Sequence, residues 1–455
     1  MKFNHLTIKS SRPQKAWRLI STSGFKDKDN MIDLKKTISA YDRFVPHRLL
    51  QLLGKKDITK IKLGDNVEKK ITILFSDIRD FTTLSESLTP QENFNFINTY
   101  LCQMDPIISS NNGVVGNFIG DAIMAIFPEG TEDAYKCSLS MLKQLRVYNE
   151  GRIRAGYQPI RIGIGLNTGL AMIGTVGGHN RMDGTVISDA VNLCSRIESL
   201  TKVYKIQLLI GEDTYNDLSP ERKKYTRFVD RVLVKGKLKQ QSIYEVFEID
   251  DEHVRKHKRN SKDVFEEALA NYHYGEIDVA KRLLEKCLSR NVNDEPLKIY
   301  LDRCEKYLAT GYHESDCLMS DRVLWSDQFL LGHELIDTQH RELVEGSLAL
   351  IEAVEQEIKS EEIKKRAMEF AEKARIHFKT EEAILEKCDY PFLEFQKQQH
   401  NRFMTTFSYL ADDLSNKSTS RIFCMFKIQI FLIDWIVHHT LKDDKNYGKY
   451  LTCCD

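Results

Sequence analysis

Two carboxylates in this chain stand where carboxylates are costly. The run Ile71-Thr-Ile-Leu-Phe-Ser-Asp-Ile-Arg-Asp-Phe81 is β-rich and nearly all apolar until it meets Ser76-Asp77-Ile78, the pattern of a buried strand. A second apolar run, Asn117-Phe-Ile-Gly-Asp-Ala-Ile-Met-Ala-Ile-Phe127, is interrupted by Gly120-Asp121, as in a hairpin turn between two hydrophobic arms. Singly, Asp77 reads as a helix cap and Gly-Asp as turn chemistry. Together they are acids at neighbouring strand ends that need positive charge, and a pair of hard divalent cations there would serve displacement at phosphorus. Downstream, Ser188-Asp-Ala-Val-Asn-Leu-Cys-Ser-Arg196 places Asn192 and Arg196 four residues apart on one helix face. The turn Val234-Lys235-Gly236-Lys237 adds two cations. A different chemistry gathers near the C-terminus, in His340, His377, Glu381, His400, His439 and Asp444. His377 and Glu381 are four apart, as are Gln396 and His400, so each pair shares a face. One helical histidine is ordinarily packing or surface. Four from four helices, with two carboxylates, point to a metal, and imidazole with carboxylate suits iron.

The elements that must position these groups can be read around them. Thr89-Pro90-Gln91-Glu92 is a capping box with Pro at the first helical position. It opens a helix with Phe94, Ile97, Leu101, Met104 and Ile108 on one face. After the hairpin at Asp121 come a helix over about 131–148, a strand at Ile160–Leu166, a Gly-rich hairpin over Met172–Ile187 and a helix from Ser188. Strands recur at Gln207–Ile210, Val229–Val234 and Ile243–Ile249. The order β-α-β-β-α-β-β-α-β predicts an α+β domain with a mixed sheet. Residues 1–34 read as a loose Lys-rich segment, and 35–68 as a helical lead-in broken at Gly54. Asp250–Lys262 reads as a charged linker. Over 262–310, the spacing of Phe265, Ala268, Leu269, Tyr272, Gly275, Ala280, Leu284, Cys287, Leu288, Pro296, Ile299, Tyr300 and Cys304 resembles a tetratricopeptide helix pair. An ordinary helical linker fits nearly as well. From Trp325 four helical patterns, at about 335–358, 361–387, 392–414 and 420–442, are joined by short loops, as in an antiparallel four-helix bundle.

Composition sets the bounds. At 455 residues the chain holds about three domains of roughly 150 residues each. The 66 basic residues balance 66 acidic ones, which excludes a nucleic-acid binder held by a basic surface. The first thirty residues lack a signal-peptide core, and no run of about 18 apolar residues is apparent, so no membrane partner is expected. The ending Leu451-Thr-Cys-Cys-Asp455 lacks prenylation spacing. Ten cysteines without a CxxC pair imply reduced thiols and a cytoplasmic protein.

Residues of about 36–250 resemble a class III nucleotidyl cyclase, with the domain proper at 69–250. The resemblance rests on Phe-Ser-Asp-Ile-Arg-Asp-Phe-Thr, Ile-Gly-Asp-Ala-Ile-Met-Ala-Ile-Phe and Val-Asn-Leu-Cys-Ser-Arg-Ile-Glu, in that order. It implies a ferredoxin-like domain working as a head-to-tail homodimer. Asp77, Asp121 and the Ile78 carbonyl would bind two Mg²⁺ or Mn²⁺ ions. Asn192 would orient the ribose and Arg196 the phosphoryl group, both from the other subunit, while Lys235, or Lys237, would hold the terminal phosphates. The family's adenine-reading Lys, or guanine-reading Glu, falls at Asn117, whose amide forbids neither base. Thr185, at the partner position, resembles the Thr of bacterial adenylate cyclases. The usual Gly of the Ile-Gly-Asp string is Ser188, read as a cap. ATP is therefore favoured over GTP, giving cyclic AMP and pyrophosphate. A guanylate cyclase, and an inactive cyclase scaffold carrying an iron-binding bundle, are the rivals.

Residues 321–450 resemble a bacteriohemerythrin, through Ile336-Asp-Thr-Gln-His340, His377-Phe-Lys-Thr-Glu381-Glu382, Tyr390-Pro391 and Trp435-Ile-Val-His-His439 to Asp444 and Tyr447. The resemblance implies a di-iron centre bridged by Glu381 and Asp444, with His340 and His377 on one iron and His400 and His439 on the other. Its ligand would be a diatomic molecule or peroxide. A fifth family histidine is replaced by Gln396, which leaves an open or weakly held position, and His333 and His438 are read as surface residues. The whole reads as a cyclase regulated by a di-iron oxygen or redox sensor.

Overall fold

The computed structural model describes residues 52–55, 60–178, 181–233, 240–288, 294–311, 325–356, 358–414 and 420–451. The segment 1–34, most of the lead-in helix, and Lys235 and Lys237 lie outside them. The described residues fall into two compact units, one within Met1–Asp230 and Val234–Arg259, the other within Arg231–Leu233 and Asn260–Asp455.

The first unit is a mixed sheet clad with helices. In chain order it comprises β1 (Asn66–Ile78), α1 (Phe81–Glu86), α2 (Pro90–Ser110), β2 (Val114–Ile119), β3 (Ala122–Phe127), α3 (Thr131–Arg154), β4 (Ile162–Gly178), β5 (Arg181–Ile187), α4 (Asp189–Val203) and β6 (Leu208–Gly211). Two short helices follow, then β7 (Thr226–Leu233) and β8 (Gln240–Val246). The strand order is β2-β3-β1-β4-β6-β8-β7, with β5 pairing β4 off that path. β4 runs parallel to β6, while β1 is antiparallel to both β3 and β4. Ile71, Ile73, Met124, Ile126, Ala171, Ile173, Ala190 and Cys194 form a shared core. β1 begins at Asn66, five residues before the apolar run, because Asn66–Lys70 pair with Leu170–Gly174. Its polar outer half lacked the hydrophobic signal of a strand.

α5 (Glu252–His273) corrects the expected linker. Its charged first turns are not all solvated. Lys258, 8% exposed, donates to Glu245 Oε1 at 2.6 Å and to Asp250 Oδ2 at 2.7 Å. Glu245 also accepts from the fully buried Arg227 at 2.6 Å. Charges read as linker character therefore form a buried ion network, each member holding another's desolvation cost in check.

In the second unit, α6 (Ile277–Leu288) and α7 (Glu295–Thr310) follow a turn at Gly275, whose φ of 84° suits glycine. Tyr272 meets Tyr300 edge to face, with ring centroids 5.1 Å apart. Leu297, not Ile299, supplies the buried position of α7 beside Pro296 and Tyr300. The bundle consists of α8 (Glu334–Glu355), α9 (Ser360–Lys387), α10 (Leu393–Leu414) and a last helix running from Arg421 to Leu451. Its core includes Leu343, Phe370, Phe378, Phe403, Ile428 and Ile433. The last helix outruns the expected 420–442 pattern by nine residues. Among the described residues its segment Arg421–Leu441 is long and apolar enough to cross a membrane, which corrects the reading that no such run exists. Here its apolar residues pack in the bundle core. His333 is the cap of α8, its Nδ1 accepting from the Ile336 N–H at 3.4 Å. The His438 side chain lies outside the description. Cys102, Cys137, Cys194, Cys287, Cys304 and Cys424 are free thiols, but Cys388 is disulfide-bonded, contrary to an all-thiol reading.

Candidate functional sites

The acid pair of the first unit is built by the β1–β3 ladder. Ser76 faces Ile123 across it, so Asp77, one residue on, arrives beside the β2–β3 turn. There Gly120, at φ 64°, aims Asp121 back at β1. Asp121 Oδ2 accepts from the Ile78 N–H at 3.1 Å, and its carboxyl lies beside that of Asp77. Burial, followed by the neighbouring Asp77 carboxylate, pushes Asp121 up to about 6. A third acid, Glu198 of α4, is driven to about 7 by burial and then by the Asp77 charge. Lys202 answers from the end of the same helix, its Nζ 3.0 Å from Asp77 Oδ2. Arg79 donates from Nη2 to the Thr201 carbonyl at 2.8 Å and to that of Ile206, tying β1 to the α4–β6 connection. Two adjacent carboxylates beside a third, raised acid are a donor set for divalent cations.

α4 owes its place to glycine. A Cβ on Gly165 of β4 would lie 2.5 Å from the Glu198 backbone nitrogen, so only a bare strand lets the helix approach this closely. Cys194 seals the contact, its Sγ 3.1 Å from the Ile73 carbonyl and 3.2 Å from that of Gly165. Ser188 caps the helix, accepting from the Ala190 N–H at 3.0 Å and donating to the Leu170 carbonyl at 2.6 Å. With Leu193, Cys194 and Ile197 buried, Asn192 is exposed and Arg196 half-exposed. The residue of α4 that reaches Asp77 is thus Lys202, about 9 Å along the axis from Arg196. Asn117 lies exposed on β2, and Thr185 half-buried on β5 opposite Gly174.

The bundle cluster is drier. His340, His377, Glu381, Gln396, His400, His439 and Asp444 are each at most 3% exposed. Donor atoms of His377, Glu381, His439 and Asp444 all lie within 4.8 Å of one another. His340 Nε2 is 3.1 Å from Asp444 Oδ2, and His439 Nε2 is 3.3 Å from Asp444 Oδ1. Glu381 Oε2 has His400 Nε2 at 3.3 Å and His377 and His439 Nε2 at 3.5 Å. The last helix achieves this with a π-helical turn over His439–Asp443. Residues five apart stand about 140° apart on an α-helix. Hydrogen bonding from i to i+5 instead brings them to one face, so His439 and Asp444 converge.

Electrostatics favour a cation here. Burial, reinforced by the neighbouring histidines, holds His377 well below its ordinary value and so neutral, the form that ligates. Burial alone would raise the Glu381 carboxyl, but the imidazoles of His400 and then His439 beside it hold it well below the usual range. Burial opposes charge on His400 too, yet Glu381 and Glu382 lift it to about 9. His377 Nε2 and Glu381 Oε2 are buried without hydrogen-bond partners, as expected of atoms that serve a metal. The outer atoms are occupied: His400 Nδ1 meets Glu382 Oε1 at 2.7 Å, and His377 Nδ1 meets Gln339 Oε1 at 3.2 Å. Both rings thereby turn Nε2 inward. Lys202, Glu198, Gln339 and Glu382 escaped the sequence reading. Glu382 and Gln339, each next to a candidate ligand, and Glu198 stand within the quoted strings; Lys202 left no signal there.

Comparison with known proteins agrees with this division. Residues 65–247 match the family described as adenylate and guanylate cyclase catalytic domain, and residues 331–451 match the hemerythrin HHE cation binding domain. An adenylate cyclase of Anabaena cylindrica is 41% identical over 219 residues, 47% of this chain and 44% of the relative. The terminal-differentiation-specific adenylate cyclase of Dictyostelium discoideum is 36% identical over 284 residues, 61% of this chain and 13% of the relative. The chain thus spans less than half the length of either. The crystal structure of the adenylyl cyclase CyaB from P. aeruginosa is 32% identical, with a TM-score of 0.36, covering 40% of this chain and 95% of that one. This chain therefore carries a class III adenylate/guanylate cyclase catalytic domain followed by a hemerythrin-type cation-binding domain.

Proposed function

We propose that the chain converts ATP to cyclic AMP and pyrophosphate in a head-to-tail homodimer, under control of a di-iron centre in the bundle. The observation that carries the catalytic half is the Asp77–Asp121 pair, two carboxylates side by side at one strand end, combined with an Asn192–Arg196 face turned outward from the same unit. One chain then supplies half of each of two sites. Asp77, Asp121 and the Ile78 carbonyl hold two Mg²⁺ or Mn²⁺ ions, which when bound supply positive charge to the 3′-hydroxyl and the phosphate oxygens. From the partner, Asn192 orients the ribose and Arg196 neutralises charge growing on the α-phosphoryl group as the 3′-oxygen attacks in line and pyrophosphate departs. Lys235 or Lys237, outside the described residues, holds the terminal phosphates. Asn117 and Thr185 read the base.

In the bundle, His340 and His377 would hold one iron and His400 and His439 the other, with Glu381 and Asp444 completing the ligand set. The centre would supply redox and small-ligand chemistry. A ligand acts on the cyclase only by favouring one dimer geometry over another. The test is turnover of ATP and of GTP by purified protein with Mn²⁺, with the iron reduced, oxygenated or oxidised. Cyclic AMP from ATP, at a rate that changes with iron state, is the expected result. Dominant cyclic GMP would overturn the base assignment, and equal rates in all states would overturn the sensor.

A further inference from the structure

Position 396 holds an amide where the family resemblance calls for imidazole, and its hydrogen bonds indicate what the amide does. Gln396 is 1% exposed. Its Nε2 donates to Glu381 Oε1 at 3.0 Å and lies 3.5 Å from Asp444 Oδ1, the two carboxylates between the iron positions. Its Oε1 is buried with no hydrogen-bond partner. Turned over, the amide would set its oxygen against two carboxylates and bury an NH₂ with no acceptor. The neighbouring imidazoles cannot swing across to take the missing place. His400 is hydrogen-bonded to Glu382 and stacked on Phe378 with centroids 4.1 Å apart. His439 is stacked on Trp435 at 4.5 Å.

We infer that Gln396 is not an iron ligand but a positioning residue: its NH₂ straps Glu381, and its carbonyl oxygen accepts from a small protic oxygen ligand at an open position on the His400–His439 iron. The inference rests on the di-iron reading and deepens it. Water or hydroxide is the resting occupant, and hydrogen peroxide can take its place. Azide is a comparable small ligand but has no proton to offer Oε1. Nothing in this step breaks a bond within the ligand; it is coordination with one accepted hydrogen bond.

Absorbance titrations of the oxidised, iron-loaded full chain with hydrogen peroxide and with azide, alongside iron stoichiometry, test this. Gln396→Leu should keep two irons, lose about tenfold in peroxide affinity and change azide affinity less than about threefold. Gln396→His should also keep two irons and, by filling the position, bind one azide fewer per chain. Loss of an iron from Gln396→Leu would make the amide a ligand and overturn the inference. Equal weakening of peroxide and azide in that variant, or an unchanged number of azides bound per chain by Gln396→His, would do the same. If Gln396→Leu does not fold, the Gln396→His titration decides. Fewer than one iron in the unsubstituted chain would instead defeat the underlying di-iron reading, a separate result.

Discussion

The two acid clusters solve one problem in opposite ways. At Asp77 and Asp121 burial makes charge costly and raises Asp121 to about 6, and Lys202 leans in from solvent against Asp77. At Glu381 the charge is kept, because His400 is held protonated beside it. The first cluster remains partly open, with Asp77 23% exposed, and its helix turns Asn192 and Arg196 away. The second is sealed, with Asp444 at 0% and Glu381 at 1%, and draws all its groups from one chain. An open, half-built site suits a substrate that enters and leaves and a partner that completes it. A closed, self-sufficient one suits a resident metal.

The contrast can be broken at its strongest point first. Asp77→Ala and Arg196→Ala homodimers should each lose about 10³-fold or more in turnover, while a mixture of the two should regain activity through the one intact site of a heterodimer. Failure of the mixture to recover would mean that each chain holds a whole site. In the bundle Glu382→Gln, which removes only the outer carboxylate from His400, should weaken iron binding about 10–100-fold, measured by competition with a chelator; mixing chains should not rescue it.

Smaller effects follow from protonation. His400 has its folded value raised above the ordinary 6.5 to about 9. Its stabilising charge is therefore fully present below about 6.5 and is lost as pH rises through 9. The Tm of the iron-free bundle should fall across that window, and iron loading should release a proton there. Asp121 is likewise raised, to about 6. Its neutral form stabilises the metal-free cyclase unit below about 4, and that benefit disappears as pH climbs through 6. Mn²⁺ binding should accordingly tighten with pH up to about 6 and then level off, which calorimetry in two buffers would detect. A flat Mn²⁺ profile would erase the contrast in how the clusters manage charge.

The strand-borne half of this chemistry was legible in the sequence because strands and tight turns place residues locally: Asp77 and Asp121 sit at the ends of long apolar runs. The helix ligands were legible where the i, i+4 rule applies, as in His377–Glu381. It failed at His439–Asp444, whose convergence depends on a π-helical turn that side-chain periodicity does not announce. Lys202 and Lys258 were missed for a different reason. A lysine in a charged stretch looks the same in sequence whether its ammonium is in water or clamped by carboxylates on another strand. Asn66–Lys70 went unread because ladder hydrogen bonds, not apolar side chains, extend β1 there.

The π-helical turn at His439–Asp443 also sets how the last helix tolerates changes in length. Deleting a single amino acid between His439 and Asp444 would rotate everything beyond the cut by about 100°, carrying the aspartate off the ligand face while leaving composition and helix propensity almost untouched. Indels in this short interval should therefore be far more damaging than point replacements within it.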